Sequence, residues 1–171
     1  MMSDHLVPAI AFYQVQETTP AALDAVLPSL LQRALEAGPV LVVAPTAARA
    51  QRLDEGLWGS LGNLGPSSFL PHGMPLHGNS AGQPLLLINT EEDPTPSNHA
   101  QHENGPRLPV VLAGAEAALE SLLAAQPSKL CYLFTATPAE VERARTLYKT
   151  YKNAGHPLQY FAQEAGKWVT K

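Results

Sequence analysis

A single cysteine in 171 residues excludes an internal disulfide. Cys131 lies inside the apolar run "LCYLF", which predicts a buried, inert thiol in a reduced, cytoplasmic protein. No apolar run approaches the roughly 18 residues that a bilayer crossing needs, and "MMSDHLVPAIAFYQ" has no basic flank ahead of a long apolar stretch. Neither a membrane span nor a signal peptide is expected. The phosphate-binding pattern Gly-x-x-x-x-Gly-Lys-Ser/Thr is also missing, and the one Gly–Lys pair, Gly166–Lys167, is followed by Trp168. "GSLGNLG" (59–65) spaces its glycines as G-x-x-G-x-x-G, which reads as a connector rather than a dinucleotide loop. No Gly-x-Ser-x-Gly elbow occurs. His72 with His77, and His99 with His102, have no evident third ligand, so no metal is expected. The carboxylate pairs at 54–55 and 91–93 read as solvated charge. No catalytic residues and no cofactor are therefore expected.

What the chain does have is an uneven charge. Its formal net charge is −4, yet Arg143, Arg145, Lys149, Lys152, Lys167 and Lys171 all lie in the last 29 residues, opposed there by Glu164 alone. The remaining 142 residues carry fourteen acidic groups against five basic ones. A duplex-binding domain would carry a broader positive field. A local basic site for a small acidic partner fits this distribution better.

Apolar and polar patterning alternates between strand and helix. Strands are predicted at 8–15, 39–45, 84–88, 108–114 and 129–134, with a short extended piece at 68–72. "VLVV" and "LLLI" are continuous apolar runs of the kind buried on both faces of a parallel sheet. Helices are predicted at 18–38, capped by Thr19, begun by Pro20 and ended by Gly38, with a kink at Pro28, and at 46–58, capped by Thr46. Two more follow at 115–125 and 138–154. The segment 89–107 has almost no apolar residue and is expected to be a mobile surface loop. The whole chain, 1–171, reads as one domain. Its expected fold is a three-layer α/β/α sandwich with a mainly parallel central sheet, Rossmann-like but without a nucleotide-binding loop.

In the last predicted helix, helical periodicity puts Val141, Ala144, Tyr148 and Tyr151 on a core-facing stripe. Arg145, Lys149 and Lys152 form a cationic stripe directly beside it. Tyr148 sits on the border, able to bury its ring and still present an edge or hydroxyl. This suits an acidic peptide ending in a bulky apolar residue, with the cations holding carboxylates through charge-assisted hydrogen bonds. The plainer reading is a wet helix face whose cations are favoured near the C-terminus by the helix dipole.

Two stretches add to this. "RLDEGLW" (52–58) followed by "SFLPH" (68–72), and "ARTLYKTYKNAG" (144–155) with the terminus "KWVTK", resemble the chi subunit of bacterial DNA polymerase III. That resemblance covers most of the chain, with the glycine-rich 59–65 and the polar 89–107 as departures. It implies a non-catalytic replication adaptor that links the clamp loader to single-stranded DNA-binding protein (SSB) by holding the acidic, Phe-ended SSB tail. By motif position the tail site would comprise Arg145, Tyr148, Lys149 and Lys152. A lysine at 152, where a family arginine can stand, keeps the charge but loses the bidentate fork. A second surface at Trp58 and Phe69 would bind the psi subunit, or a helicase. DNA would be contacted mainly indirectly. Two other readings compete: a degenerate helicase-like nucleotide-binding domain, and a direct single-stranded DNA binder stacking bases on Tyr148 and Tyr151.

Overall fold

The structure, a computed structural model, describes residues 7–59, 72–74, 82–93 and 95–171. In chain order it runs β1 (Ala9–Gln14), α1 (Pro20–Ala37), β2 (Val40–Ala44), α2 (Ala47–Gly59), β3 (His72–Gly73) and β4 (Leu85–Asn89). There follow β5 (Gln101–His102), β6 (Gly105–Pro106), β7 (Leu108–Leu112), α3 (Leu119–Ala124), β8 (Lys129–Phe134), α4 (Pro138–Asn153), β9 (Leu158–Glu164) and β10 (Lys167–Thr170). The main sheet has the order β10-β9-β1-β8-β7-β2-β4-β3, parallel throughout except for β10 against β9. This is the expected α/β/α sandwich.

The central strands are apolar on both faces because helices cover both. Every residue of β2 and β4 is buried. Their alternating side chains divide into two cores. Val40, Val42, Leu85, Leu87, Val110, Leu112, Cys131 and Leu133 pack with Leu23, Leu27 and Leu31 of α1 and Leu53 of α2. Ile10, Phe12, Leu41, Val43, Leu86, Ile88, Val111 and Tyr132 pack with Leu119 and Leu122 of α3 and Ala144 and Tyr151 of α4. The i, i+4 spacing of 23, 27 and 31 makes the buried ridge of α1. Thr19 caps that helix, its hydroxyl accepting from Ala22 N at 3.2 Å, and α1 continues through Pro28 to Ala37.

Three parts of the chain differ from the sequence reading. The helix expected over 115–125 is a 3₁₀ turn (Glu116–Ala118) leading into the six-residue α3, with no side-chain cap on either. Residues 89–107 hold a 3₁₀ turn (Pro96–His99) and the small β5–β6 hairpin. Here polar side chains bond locally, Asn89 Nδ2 to Glu92 Oε1 at 2.7 Å and His99 Nε2 with Asp93 Oδ1 at 2.9 Å, while Pro96 and Ala100 are buried. Beyond α4, where no element was expected, the chain forms the β9–β10 hairpin. Its two-residue loop, Ala165–Gly166, has positive φ at both positions (51° and 79°), as a tight hairpin between right-twisted strands requires.

Candidate functional site

α4 is fixed at both ends. Thr137 caps its start, the hydroxyl accepting from Glu140 N at 3.3 Å, and Pro138 occupies the first turn. At its end Gly155 adopts φ 92°, while His156 N donates to Tyr151 O at 3.0 Å and Gly155 N to Lys152 O at 3.1 Å. That pair of bonds is a Schellman stop, which turns the chain sharply into β9. His156 Nδ1 then meets Pro8 O at 2.8 Å, holding the turn against the start of β1.

Ala144 and Tyr151 are buried and Val141, Leu147 and Tyr148 half-buried, so the core-facing stripe lies where helical periodicity puts it. Beside it Arg145, Lys149 and Lys152 are exposed. Arg145 is 73% exposed and its one ion pair is long, 4.0 Å to Glu142 Oε2, itself 74% exposed. Among the described residues neither Lys149 nor Lys152 has a carboxylate partner. Arg143 belongs to another face, its guanidinium 3.3 Å from Glu116 Oε1. The Tyr148 ring rests 5.4 Å from Phe12 and 6.2 Å from Tyr160, centroid to centroid.

Tyr160 of β9 is the residue that sequence reasoning missed. Its hydroxyl donates to Gln14 Oε1. Burial raises its pKa, while the nearby Arg145 guanidinium pulls the other way. Tyr160 and Tyr148 together form an aromatic border along the cations. The usable signal was the alternation Leu158, Tyr160 against Phe161 in "LQYFAQE". The second tyrosine weighed as a base-stacking platform, Tyr151, is instead 9% exposed with its ring against His156 at 5.4 Å. Trp58 falls in the last turn of α2, and its side chain, with the whole of Phe69, lies outside the described residues.

The carboxyl ends of the parallel strands are where a nucleotide-binding relative of this fold receives its ligand. Here glutamates of the chain itself occupy the amides. Ala47 N, in the first turn of α2, donates to Glu91 Oε1 at 2.6 Å. Gly114 N, just past β7, donates to Glu116 Oε2 at 2.8 Å, and Tyr132 Oη donates to the same oxygen at 2.6 Å. Thr135 N, just past β8, donates to Glu140 Oε1 at 2.7 Å, and the Thr135 hydroxyl donates to that oxygen at 2.8 Å. Gly114 is required there, since its φ is 99° and a Cβ would stand 2.9 Å from Pro45 Cβ. Amides that would otherwise cradle a phosphate are thus taken by fixed negative charge. The described histidines do not converge on a metal, and the side chains of His72 and His77 lie outside the described residues. His99 is held by Asp93, His102 Nδ1 accepts from Asn104 N at 3.0 Å, and among the described residues no three His, Cys, Asp or Glu could share an ion.

The model of the family described as DNA polymerase III chi subunit, HolC, matches residues 7–159 of the 171. The chain belongs to that family. The match takes in all of α4 and stops inside β9, before β10. Membership in the chi family gives the chain an accessory role in replication, within the DNA polymerase III holoenzyme, in a family of non-catalytic subunits. No curated protein matches the chain. Among the described residues no helix is long and apolar enough to cross a membrane.

Proposed function

We propose that this chi-family chain is a non-catalytic, cytoplasmic adaptor that links the clamp loader to SSB, holding the acidic C-terminal tail of SSB on α4. Arg145, Lys149 and Lys152 would take the tail's carboxylates, and Tyr148, backed by Tyr160, its terminal phenylalanine. One observation carries this reading: three exposed cations, none tightly paired, run alongside an aromatic border on a single helix face. Contacts of that kind give modest, salt-sensitive affinity, which suits a tether that works by raising local concentration. The clamp-loader link, through psi at Trp58 and Phe69, rests on the family resemblance. Two findings weigh against the rival readings. Glutamates fill the amides a nucleotide phosphate would need, and Tyr151 is hidden from any stacked base.

Calorimetric titration with the SSB C-terminal peptide tests the proposal. Arg145→Ala and Lys149→Ala should each weaken binding by roughly five- to tenfold, the loss typical of a charge-assisted hydrogen bond at a wet surface. Deleting the peptide's terminal phenylalanine should remove most of the heat. Unchanged titrations across this set reject the site.

A further inference from the structure

On the sheet face opposite α4, a groove of about 710 Å³ lies between the C-terminal half of α1, the β5–β6 hairpin and the floor formed by β1, β8 and β9. Its walls are largely apolar. The Tyr13 ring stacks on Phe161 at 5.0 Å and meets Trp168 edge-on at 5.3 Å, facing Leu30 and Ala34 of α1. In a chain of formal net charge −4, the charged residues that line this groove among the described residues are Arg33, Arg107 and Lys129, with no aspartate or glutamate among them.

Arg107 is committed to the fold, its guanidinium donating to Val40 O at 3.1 Å and Pro84 O at 3.4 Å. Arg33 and Lys129 have no ion pair among the described residues. Arg33 stands close enough to the Tyr13 hydroxyl, and Lys129 to the Cys131 thiol, for each to favour ionisation of its neighbour. Burial outweighs both effects and pushes Tyr13 up to about 12 and Cys131 up to about 11. At neutral pH both groups therefore keep their protons, and the positive charge is uncompensated. The Tyr13 hydroxyl has no hydrogen bond among the described residues, so it is a spare donor beside a guanidinium. The groove runs along the strands, from Pro39, Leu108 and Ser128 at their amino ends to Tyr13 and Leu133, and lies on the face opposite Glu140 and α4.

We propose that this groove is a binding site for a small amphiphilic carboxylate, with its flat apolar body between α1 and the Phe161–Trp168 wall, its anionic head on Arg33 and Tyr13, and Lys129 adding positive charge further along the floor. Its volume falls in the range of about 300–1,000 Å³ usual for small-molecule sites. Its pattern, apolar walls with a few polar and cationic groups along them, is the one such sites use. The charge of the lining selects an anion, and the stacked aromatics select a planar body. This site is independent of the α4 reading.

The test uses 1-naphthoate and its neutral counterpart 1-naphthamide, titrated into the full chain by calorimetry and by NMR. The expected result is one saturable site with shifts centred on Tyr13, Phe161 and Trp168, and naphthamide about tenfold weaker. Arg33→Ala and Lys129→Ala should each weaken naphthoate about fivefold while leaving naphthamide within about twofold. Trp168→Ala should weaken both ligands, and Arg145→Ala neither. Melting curves establish that each variant is folded. No saturable binding, equal affinity for the amide, shifts on α4, or a dimer in sedimentation that covers the groove with a second copy would each overturn the proposal. The SSB peptide titration on Arg33→Ala is read separately, so a failure here leaves the α4 proposal standing and the reverse also holds.

Discussion

At the carboxyl ends of β2, β7 and β8, backbone amides are closed by Glu91, Glu116 and Glu140, each already bonded within the protein. Along α4, by contrast, Arg145, Lys149 and Lys152 stand exposed with at most one long ion pair to the described residues. Both regions concern anions. One region has built its anion into the chain, and the other leaves its cations to solvent. At the strand ends where α/β sandwiches usually receive ligands, the chain thus places its own side chains. Charge assigned to structure is short-range, directional and satisfied. Charge left on α4 is worth little to stability and stays available for a partner.

The sharpest way to break this contrast is to reverse the α4 charge. The double variant Arg145→Glu/Lys149→Glu should abolish binding of the SSB tail, by at least about 30-fold if each lost contact carries the usual charge-assisted weight. Its melting temperature should stay close to that of the parent. A comparable loss of stability would mean that these cations serve the fold. The converse change is Glu140→Ala, which removes bonds to Thr135 N and Oγ1 at the start of α4. It should cost about 1–3 kcal/mol in urea unfolding and leave the tail titration unchanged.

Salt gives the next largest separation. Raising ionic strength from about 0.05 to 0.5 M should weaken the SSB peptide several-fold, because exposed charges are screened over a few ångströms at the higher value. The unfolding free energy, resting on short-range bonds and two apolar cores, should move far less. A further separation is alkaline. The Tyr13 pKa is raised from 10.0 to about 12 in the folded protein, so between those values the unfolded chain has released a proton that the native state retains. Stability therefore falls as pH rises through that window, and is unaffected by this group below it. Tyr13→Phe keeps the ring and should flatten the decline between pH 10.0 and about 12, measured by urea titration.

Much of the architecture was legible because its causes are local. The apolar runs of β2, β4 and β8, the Thr19 and Thr46 caps and the i, i+4 leucines of α1 each declare an element without reference to the rest of the chain. The cationic stripe of α4 was readable for the same reason, since helical period alone orders its positions. The β9–β10 hairpin was not, because "LQYFAQE" and "KWVT" mix apolar with polar residues, and their strand character depends on the edge offered by β1. Tyr160 was lost with it. Arg107 shows the limit from another side. In sequence it follows a polar stretch and looks solvated, yet it is 2% exposed, because carbonyls preceding β4 and opening β2 converge on its guanidinium. No local pattern encodes that meeting.

β9 has one further consequence. Tyr160 and Phe161 are consecutive residues, and the pleat sends the first toward α4 and the second into the groove beneath α1. The α4 border and the groove are therefore two sides of one partition a single backbone thick. Any occupant that tilts this strand on one side reshapes the wall met by an occupant on the other, with no hinge or moving domain between them.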